Sequence, residues 1–268
     1  MLTRKIPRTG EELPVIGLGT WQTFDVPPRG HEPLKDVLAT FFAAGGRLID
    51  SSPMYGRSEE TVGDIRGDSV AFLATKVWTS GKQAGIDQMK RSMQRMRTDR
   101  MDLMQIHNLL DYKTHLPVLR DWKAAGTIRY LGVTHYQHSA FDTIEKLIRE
   151  EQLDFIQVPY SITDTLAEER LLPLAAETGT AVIAMTPFES GALFRKVRGK
   201  QLPQWAAESG ITSWAQFFLA WILGHPAITC PIPATASAAH LADFMQAGPG
   251  PLPDAKVRGK MRAAVEAT

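Results

Sequence analysis

The stretch AAGGRLID (43–50) joins the end of an amphipathic helix pattern to a short apolar run, with two glycines at the junction. A helix commonly ends at a residue with a left-handed backbone, which glycine adopts without steric cost. The arrangement recurs as AAGTIRYLG (124–132), ETGTAVIA (177–184) and ILGHPAIT (222–229). We therefore expect a glycine in each segment to end a helix in a left-handed conformation, just before the next strand.

Eight short apolar or β-branched runs follow one another along the chain. They are VIGLGT from Val15, RLID from Arg47, VAFLATK from Val70, MDLMQIH from Met101, IRYLGVT from Ile128, FIQVPY from Phe155, AVIAMT from Ala181 and AITCPIP from Ala227. Helical periodicity separates most of these runs, as at Leu34, Val37 and Phe41. Strands that alternate with helices in 268 residues are typical of a (β/α)8 barrel.

We accordingly predict an α/β fold, a single (β/α)8 TIM barrel domain over residues 1–268. The segment KIPRTGEELPV (5–15) predicts a short N-terminal hairpin before the first barrel strand. The stretch from Phe188 to Gly210 has no strand pattern, and we expect an elongated functional loop there. Gly17 and Gly19 lack the third glycine of a dinucleotide fingerprint, so we expect them only to let a strand pass close to other backbone.

Charge and composition limit the possible classes of function. The chain has 30 Lys and Arg residues against 29 Asp and Glu residues, a formal net charge of +1. Such a balance argues against a nucleic acid or an acidic membrane as a partner. Cys230 is the one cysteine, which rules out an internal disulfide or a cysteine-based zinc site and favours a reducing compartment. With no signal segment and no apolar run long enough for a bilayer, we expect a cytoplasmic protein whose oligomeric state stays open.

Polar side chains end three successive predicted strands, where barrel enzymes build their active sites. Asp50 ends the second strand, Lys76 the third and His107 the fourth, and Tyr55 follows in the loop after Asp50. Each one alone has an ordinary explanation: a helix cap, a rim aromatic or a core histidine. Their convergence on one barrel mouth favours chemistry instead.

The combination suits proton transfer. A lysine at the end of an apolar strand is costly to desolvate unless a carboxylate pairs with it, and Asp50 can be that partner. A paired lysine beside a phenol lowers the phenol's pKa from its usual value of about 10. Carbonyl reduction needs such a group to protonate the developing alkoxide.

The stretch from Asp50 to Gly63, which ends in MYGRSEETVG (54–63), resembles the aldo-keto reductase superfamily, as do ATK (74–76) and DLMQIHN (102–108). GLGTW (17–21) and PIPATASAAHL (231–241), which is similar to the family's phosphate-binding loop, extend the resemblance over nearly the whole chain. The resemblance implies reversible reduction of an aldehyde or ketone to the alcohol, with hydride from NAD(P)H.

The resemblance also assigns roles to the four polar residues. Tyr55 is the implied general acid, and Lys76 is the implied modulator of its pKa. Asp50 is the implied partner of the lysine, and His107 the group that orients the carbonyl. Trp and Met side chains around them suggest a pocket for a hydrophobic or aromatic carbonyl. The expected substrate contacts are Trp21, Met54, Trp78, His107, Asn108 and Leu109.

The resemblance further implies a set of cofactor contacts, with NADP (NADPH) as the cofactor and NAD (NADH) not excluded. The positions are Thr20, Trp21, Asp50, Thr134, His135, Gln157, Met185, Thr186, Pro187, Phe188, Ser190, Gly191, Leu193, Pro233, Ala234, Thr235, Ser237, His240 and Asp243. Thr134 and His135 replace the family's usual Ser-Asn pair, and Met185 replaces the aromatic that stacks on the nicotinamide.

The loop that would bind the 2′-phosphate differs further from the family pattern. Pro233-Ala234-Thr235 replaces the family's P-K-S, and His240 stands at the position of an arginine, so both cations are missing. We expect a helix that begins near Ser237 to hold the phosphate with its free amides. The basic run from Arg195 to Lys200 could contribute if its loop closes over the nucleotide.

The sequence disfavours two other classes of protein. A non-catalytic nicotinamide-binding barrel, acting as a sensor or interaction subunit, is disfavoured because a sensor needs no proton donor. A metal-dependent hydrolase is disfavoured because the first strand ends in no H-x-H or acidic cluster. The H-x-x-H pair His135 and His138 lies at a strand-to-helix turn without a nearby carboxylate ligand, so we expect no metal there.

Overall fold

A computed structural model describes all 268 residues. The strands are β1 (Thr3–Lys5), β2 (Glu12–Pro14), β3 (Leu18–Gly19), β4 (Leu48–Asp50), β5 (Phe72–Val77), β6 (Met101–His107), β7 (Ile128–Thr134), β8 (Phe155–Pro159), β9 (Ala181–Met185) and β10 (Cys230–Pro231). The helices are α1 (His31–Ala43), α2 (Ser58–Ile65), α3 (Lys82–Arg95), α4 (Tyr112–Ala124), α5 (Phe141–Glu151), α6 (Leu171–Thr178), α7 (Ala192–Lys196), α8 (Gln204–Glu208), α9 (Trp214–Leu223), α10 (Ala238–Met245) and α11 (Ala255–Glu266).

The eight strands β3 to β10 form one parallel sheet in which every strand pairs with its neighbours in the chain. The sheet closes because the Gly17 amide donates to the carbonyl oxygen of Pro231 (3.0 Å) and the Gly19 amide to that of Pro233 (2.9 Å). A Cβ on Gly19 would lie 2.9 Å from the Ile232 carbonyl oxygen, so this seam requires glycine. The predicted (β/α)8 barrel is confirmed.

The predicted N-terminal hairpin is present as the antiparallel pair β1 and β2. Its apolar side chains Ile6 and Leu13 are fully buried, and they pack in one cluster with strand residues such as Leu48 and Phe155. The hairpin therefore closes the N-terminal end of the barrel with apolar side chains. The polar candidate residues lie at the opposite end, where the strands finish.

Three of the four predicted helix-ending glycines are left-handed: Gly45, Gly126 and Gly179 have φ of +85°, +75° and +70°. The prediction was wrong for Gly224, whose φ is −64°. A Cβ on Gly224 would lie 2.5 Å from the Pro253 carbonyl oxygen. This glycine is needed for a close approach of the segment that leads into α11, not for its backbone conformation.

Strand boundaries agree best in the middle of the barrel, where β6 and β7 match the predicted runs residue for residue. At the closing seam, β3 and β10 contain only two residues each. The predicted long loop after β9 contains the short helices α7 and α8. No helix is both long and apolar enough to cross a bilayer.

Candidate active site

A buried ion pair lies at the C-terminal ends of β4 and β5. The Lys76 ammonium donates to Asp50 Oδ2 (2.7 Å) and to the Ser51 carbonyl oxygen (2.6 Å). The exposed fractions of the two charged side chains are only 1% and 2%. Burial acts most strongly on the pKa of Lys76 and lowers it, but the interactions with Asp50 and Tyr55 raise it above its usual value. The lysine is therefore a permanent cation next to the phenol.

Tyr55 lies half-buried in the turn after β4, with the Lys76 ammonium 5.1 Å from the centre of its ring. Burial raises the pKa of the phenol, and the Asp50 charge adds to this, while Lys76 acts in the opposite direction. The net pKa is above the usual value. Our prediction of a net lowering was wrong, because burial outweighs the lysine, although the lysine acts with the predicted sign.

Contacts from two other segments hold the turn that carries Tyr55. Asp25, in the loop after β3, accepts a hydrogen bond from the Arg57 amide (2.9 Å). Gly56 is left-handed, and a Cβ there would lie 2.3 Å from an Asp25 carboxylate oxygen. The hydroxyl of Thr75, which precedes Lys76, donates to the buried carboxylate of Glu59 (2.5 Å). The phenol is thus held in place relative to the lysine.

His107, at the end of β6, lies edge-on to Tyr55, with ring centres 5.8 Å apart. Its Nδ1 is 2.9 Å from the Ser52 hydroxyl oxygen, which already accepts from the Met54 amide (3.4 Å). We assign the Ser52 hydroxyl as the donor to Nδ1, which places the proton of the neutral ring on Nε2. Burial, assisted by Lys76 and His135, lowers the pKa of His107 to about 3. The ring is a neutral hydrogen-bond donor.

Two glutamines share the carboxylate of Asp50 with the lysine. Gln157 Nε2 is 3.3 Å from Oδ2, and Gln105 Nε2 is 3.4 Å from Oδ1. Gln105 also donates to Gln157 Oε1 (2.8 Å). Sequence reasoning missed Gln105. The signal was its position two residues before His107 in β6, since alternate residues of a strand face the same side.

A cavity of about 420 Å³ opens beside Tyr55 and Asp50. Most of the expected cofactor positions line it, namely Thr20, Trp21, Asp50, Gln157, Met185, Thr186, Pro187, Phe188, Ser190, Gly191, Ala234, Thr235 and His240. The lining also includes residues that were missed: Gly19, Gln22, Thr23, Phe194, Ile232 and Phe244. Nothing in the local sequence pattern distinguishes the two phenylalanines from core aromatics.

Six expected cofactor positions are absent from the lining: Thr134, His135, Leu193, Pro233, Ser237 and Asp243. Thr134 pairs in register with His107 and Gln157, so it lies close to the site. Ser237 begins α10, as predicted, where its hydroxyl accepts from the amide of His240 (3.3 Å). Pro233 supplies a carbonyl oxygen to the barrel seam. His135 Nδ1 accepts from the amide of Gln137 (3.0 Å).

The remaining two positions, Asp243 and Leu193, make contacts within the protein away from the cavity lining. The Asp243 carboxylate accepts from the Ser213 hydroxyl and from the Gln216 side-chain amide, both at 2.6 Å, and so joins α9 to α10. Leu193 is buried in the apolar core between sheet and helices.

Exposed apolar side chains surround the mouth near His107. The exposed fractions of Trp21, Met54 and Trp78 are 46%, 40% and 41%, which leaves these side chains accessible to a ligand. The Trp78 ring centre lies 6.4 Å from that of His107. Asn108 and Leu109 follow His107 with left-handed backbones, φ +52° and +55°.

No group of three or more His, Cys, Asp or Glu side chains is arranged to hold a metal ion. His138 does contact a carboxylate that is distant in sequence, with Nε2 2.9 Å from Asp164 Oδ2. The expectation that no carboxylate lies near this pair of histidines was therefore wrong.

The family model for aldo/keto reductases matches residues 15–259. The chain therefore belongs to the aldo/keto reductase family and is an NAD(P)H-dependent oxidoreductase.

Two curated relatives are similar over most of their lengths. Methylglyoxal reductase YeaE of Escherichia coli is 28% identical over 238 residues, 85% of this chain and 83% of the relative. Glyoxal reductase of Bacillus subtilis is 28% identical over 231 residues, 83% of this chain and 79% of the relative.

Solved structures share the fold. A thermostable aldo-keto reductase in complex with the inhibitor epalrestat has a TM-score of 0.82 and 26% identity, over 99% of this chain and all of that chain (100%). An aldo/keto reductase from Klebsiella pneumoniae, solved with NADP and acetate, has a TM-score of 0.83 and 24% identity, over 99% and 96% of the two chains. The second likeness shows the fold alone.

The low pKa of His107 predicts a pH-dependent stability. With a folded pKa of about 3 and an ordinary histidine value of about 6.5, the ring takes up a proton on unfolding between these limits. We expect this histidine to reduce the free energy of unfolding by up to about 1.4 kcal/mol per pH unit as the pH falls below about 6.5. Urea denaturation across this pH range should give a shallower slope for His107→Gln than for wild type. Equal slopes would contradict a neutral, buried His107.

Proposed function

We propose that this enzyme reduces an aldehyde or ketone with hydride from NADPH, and that Tyr55 supplies the proton to the developing alkoxide. The observation that carries the assignment is the buried Lys76–Asp50 pair, with its ammonium 5.1 Å from the Tyr55 ring. A charge so costly to bury is explained by its effect on a neighbouring titratable group. A sensor that only bound a nucleotide would gain nothing from it.

The residues around the cavity suit a nicotinamide cofactor, which supplies the hydride when bound. Gln157 lines the cavity, and its amide retains one N–H that Asp50 does not accept. That N–H suits the carboxamide oxygen of a nicotinamide. We assign Gln157 and Thr134 to the carboxamide, and Met185 to the ring face, where a thioether packs favourably on an aromatic. Thr186, Ser190 and Gly191, in left-handed backbones after β9, are assigned to the diphosphate.

Tyr55 and His107 act together on the carbonyl oxygen. His107 donates from Nε2 to that oxygen and orients it, since Ser52 satisfies Nδ1. Tyr55 transfers its phenolic proton to the same oxygen as negative charge develops there. Its raised pKa keeps the phenol protonated, as reduction requires, and the Lys76 charge stabilises the phenolate left behind.

The substrate assignment rests on the rim and on the relatives. Exposed Trp21, Met54 and Trp78 offer apolar faces to a flat or hydrophobic carbonyl compound. The relatives named as methylglyoxal and glyoxal reductases support small dicarbonyls. We propose 2-oxoaldehydes as the substrate class, including those with an aromatic substituent.

Because Cys230 is unpaired, we propose the cytoplasm as the compartment.

Tyr55→Phe is expected to lower kcat for reduction on the order of 100-fold or more, because the positioned acid is lost. The Kd for NADPH should stay close to wild type, since the phenol acts on the transition state. Tyr112→Phe, outside the cavity at the start of α4, is the control and should keep full activity. Steady-state assays with methylglyoxal and with an aromatic aldehyde test this. More than half the wild-type rate in Tyr55→Phe would exclude it as the acid.

Lys76→Met is expected to move the pH profile of alcohol oxidation to higher pH. Oxidation needs the phenolate, and removing the adjacent cation raises the pKa of Tyr55 further. Asp50→Asn removes an anion that raises the same pKa, so its profile should move the opposite way. Rates measured across the alkaline limb decide this. A lower plateau at an unchanged midpoint would leave Lys76 with a structural role only.

NADPH should be preferred over NADH, by a smaller margin than an arginine at the His240 position would give. Donors at the start of α10 and the hydroxyl of Thr235 suffice for a phosphate, but no bidentate cation replaces the missing arginine. If the basic run from Arg195 to Lys200 contributes, rising salt should weaken the preference. The ratio of kcat/KM values at low and high salt tests both points. A preference for NADH would contradict the assignment.

A further inference from the structure

We propose that Gln105 is a positioning residue that fixes the side-chain amide of Gln157 toward the nicotinamide cofactor. The inference rests on the proposed role of Gln157. Gln105 lies on β6, its side chain is fully buried, and it does not line the cavity. It therefore touches neither substrate nor cofactor and acts through its neighbours.

The hydrogen bonds of the two glutamines allow only one orientation. Gln105 Nε2 donates to Gln157 Oε1 (2.8 Å), and Gln157 Nε2 donates to Asp50 Oδ2 (3.3 Å). If the Gln157 amide turned over, its nitrogen would face the Gln105 nitrogen and its oxygen would face the carboxylate. Both contacts would then be repulsive. Gln105 thus determines which Gln157 atom faces the cavity.

Gln105 itself is poorly satisfied. Its Oε1 is buried without a hydrogen-bond partner. A buried unpaired carbonyl oxygen costs free energy, which an apolar side chain of similar size would avoid. The Nε2 atom of the same amide donates to Asp50 Oδ1 and to Gln157 Oε1, which offsets part of that cost. The bond to Gln157 is the one that fixes the orientation of the Gln157 amide.

Gln105→Met tests the role, since it keeps the side chain's length and removes its hydrogen bonds. We expect the Kd for NADPH, measured by quenching of tryptophan fluorescence, to rise about three- to tenfold, the effect of one hydrogen bond. The thermal midpoint should also fall, because Asp50 Oδ1 and Gln157 Oε1 each lose a donor, so the Kd is the measurement that decides. A loss of stability with unchanged Kd would show that Gln105 is structural and would overturn the proposal.

The matched control is Met104→Leu, because Met104 is the preceding residue of β6 and packs in the outer apolar core. This volume-conserving change should leave the Kd unchanged. A second variant, Gln105→Asn, keeps an amide that is one methylene too short to reach Gln157. It should raise the Kd as Met does, so the test stands even if Gln105→Met fails to fold.

A double-mutant cycle with Gln157→Leu identifies the route of the effect. If Gln105 acts through Gln157, adding Gln105→Met to Gln157→Leu should cause no further rise in Kd. Additive effects would overturn the proposal. So would a shifted pH profile of kcat with unchanged Kd, since the effect would then run through Asp50. If wild type binds no NADPH, the proposed function fails first, which is a distinct result.

Discussion

The ion pair between Lys76 and Asp50 is the contact on which the rest of the site depends. A buried ion pair is stable only if its geometry is good and further hydrogen bonds reach its remaining donors and acceptors. Here the Ser51 carbonyl accepts from Lys76, and two glutamine amides donate to the Asp50 carboxylate. The pair ties together strands β4, β5, β6 and β8, so the positions of the acid, the orienting histidine and the amide are coupled. A shift of any one of these strands would break a hydrogen bond to the buried charges.

The electrostatic result is a balance between opposing influences. Burial makes Tyr55 a weaker acid, while the lysine makes it a stronger one. For His107, burial and the lysine act in the same direction and keep the ring neutral. The buried Lys76 cation thus makes Tyr55 a stronger acid than burial alone would allow, and it helps to keep His107 a neutral hydrogen-bond donor.

Local patterns in the sequence predict much of this architecture. The alternation of apolar runs with helices identifies the barrel, and strand ends identify Asp50, Lys76 and His107. Contacts between distant segments are not predictable in this way. Asp25 supports the Tyr55 turn from another loop, and burial at Tyr55 depends on the assembled mouth. Gly224 shows the same limit, because its need for glycine comes from Pro253, which packs against it only in the folded chain.

The hairpin that closes the N-terminal end of the barrel determines how ligands enter and leave. Because Ile6 and Leu13 pack into that end, the interior of the barrel is closed there. The cofactor cavity and the substrate rim, which share Trp21, open at the other end. Every molecule consumed must therefore leave as product through the opening by which it arrived. The cofactor and the substrate share that single opening, so the order in which they bind and dissociate becomes part of the catalytic cycle.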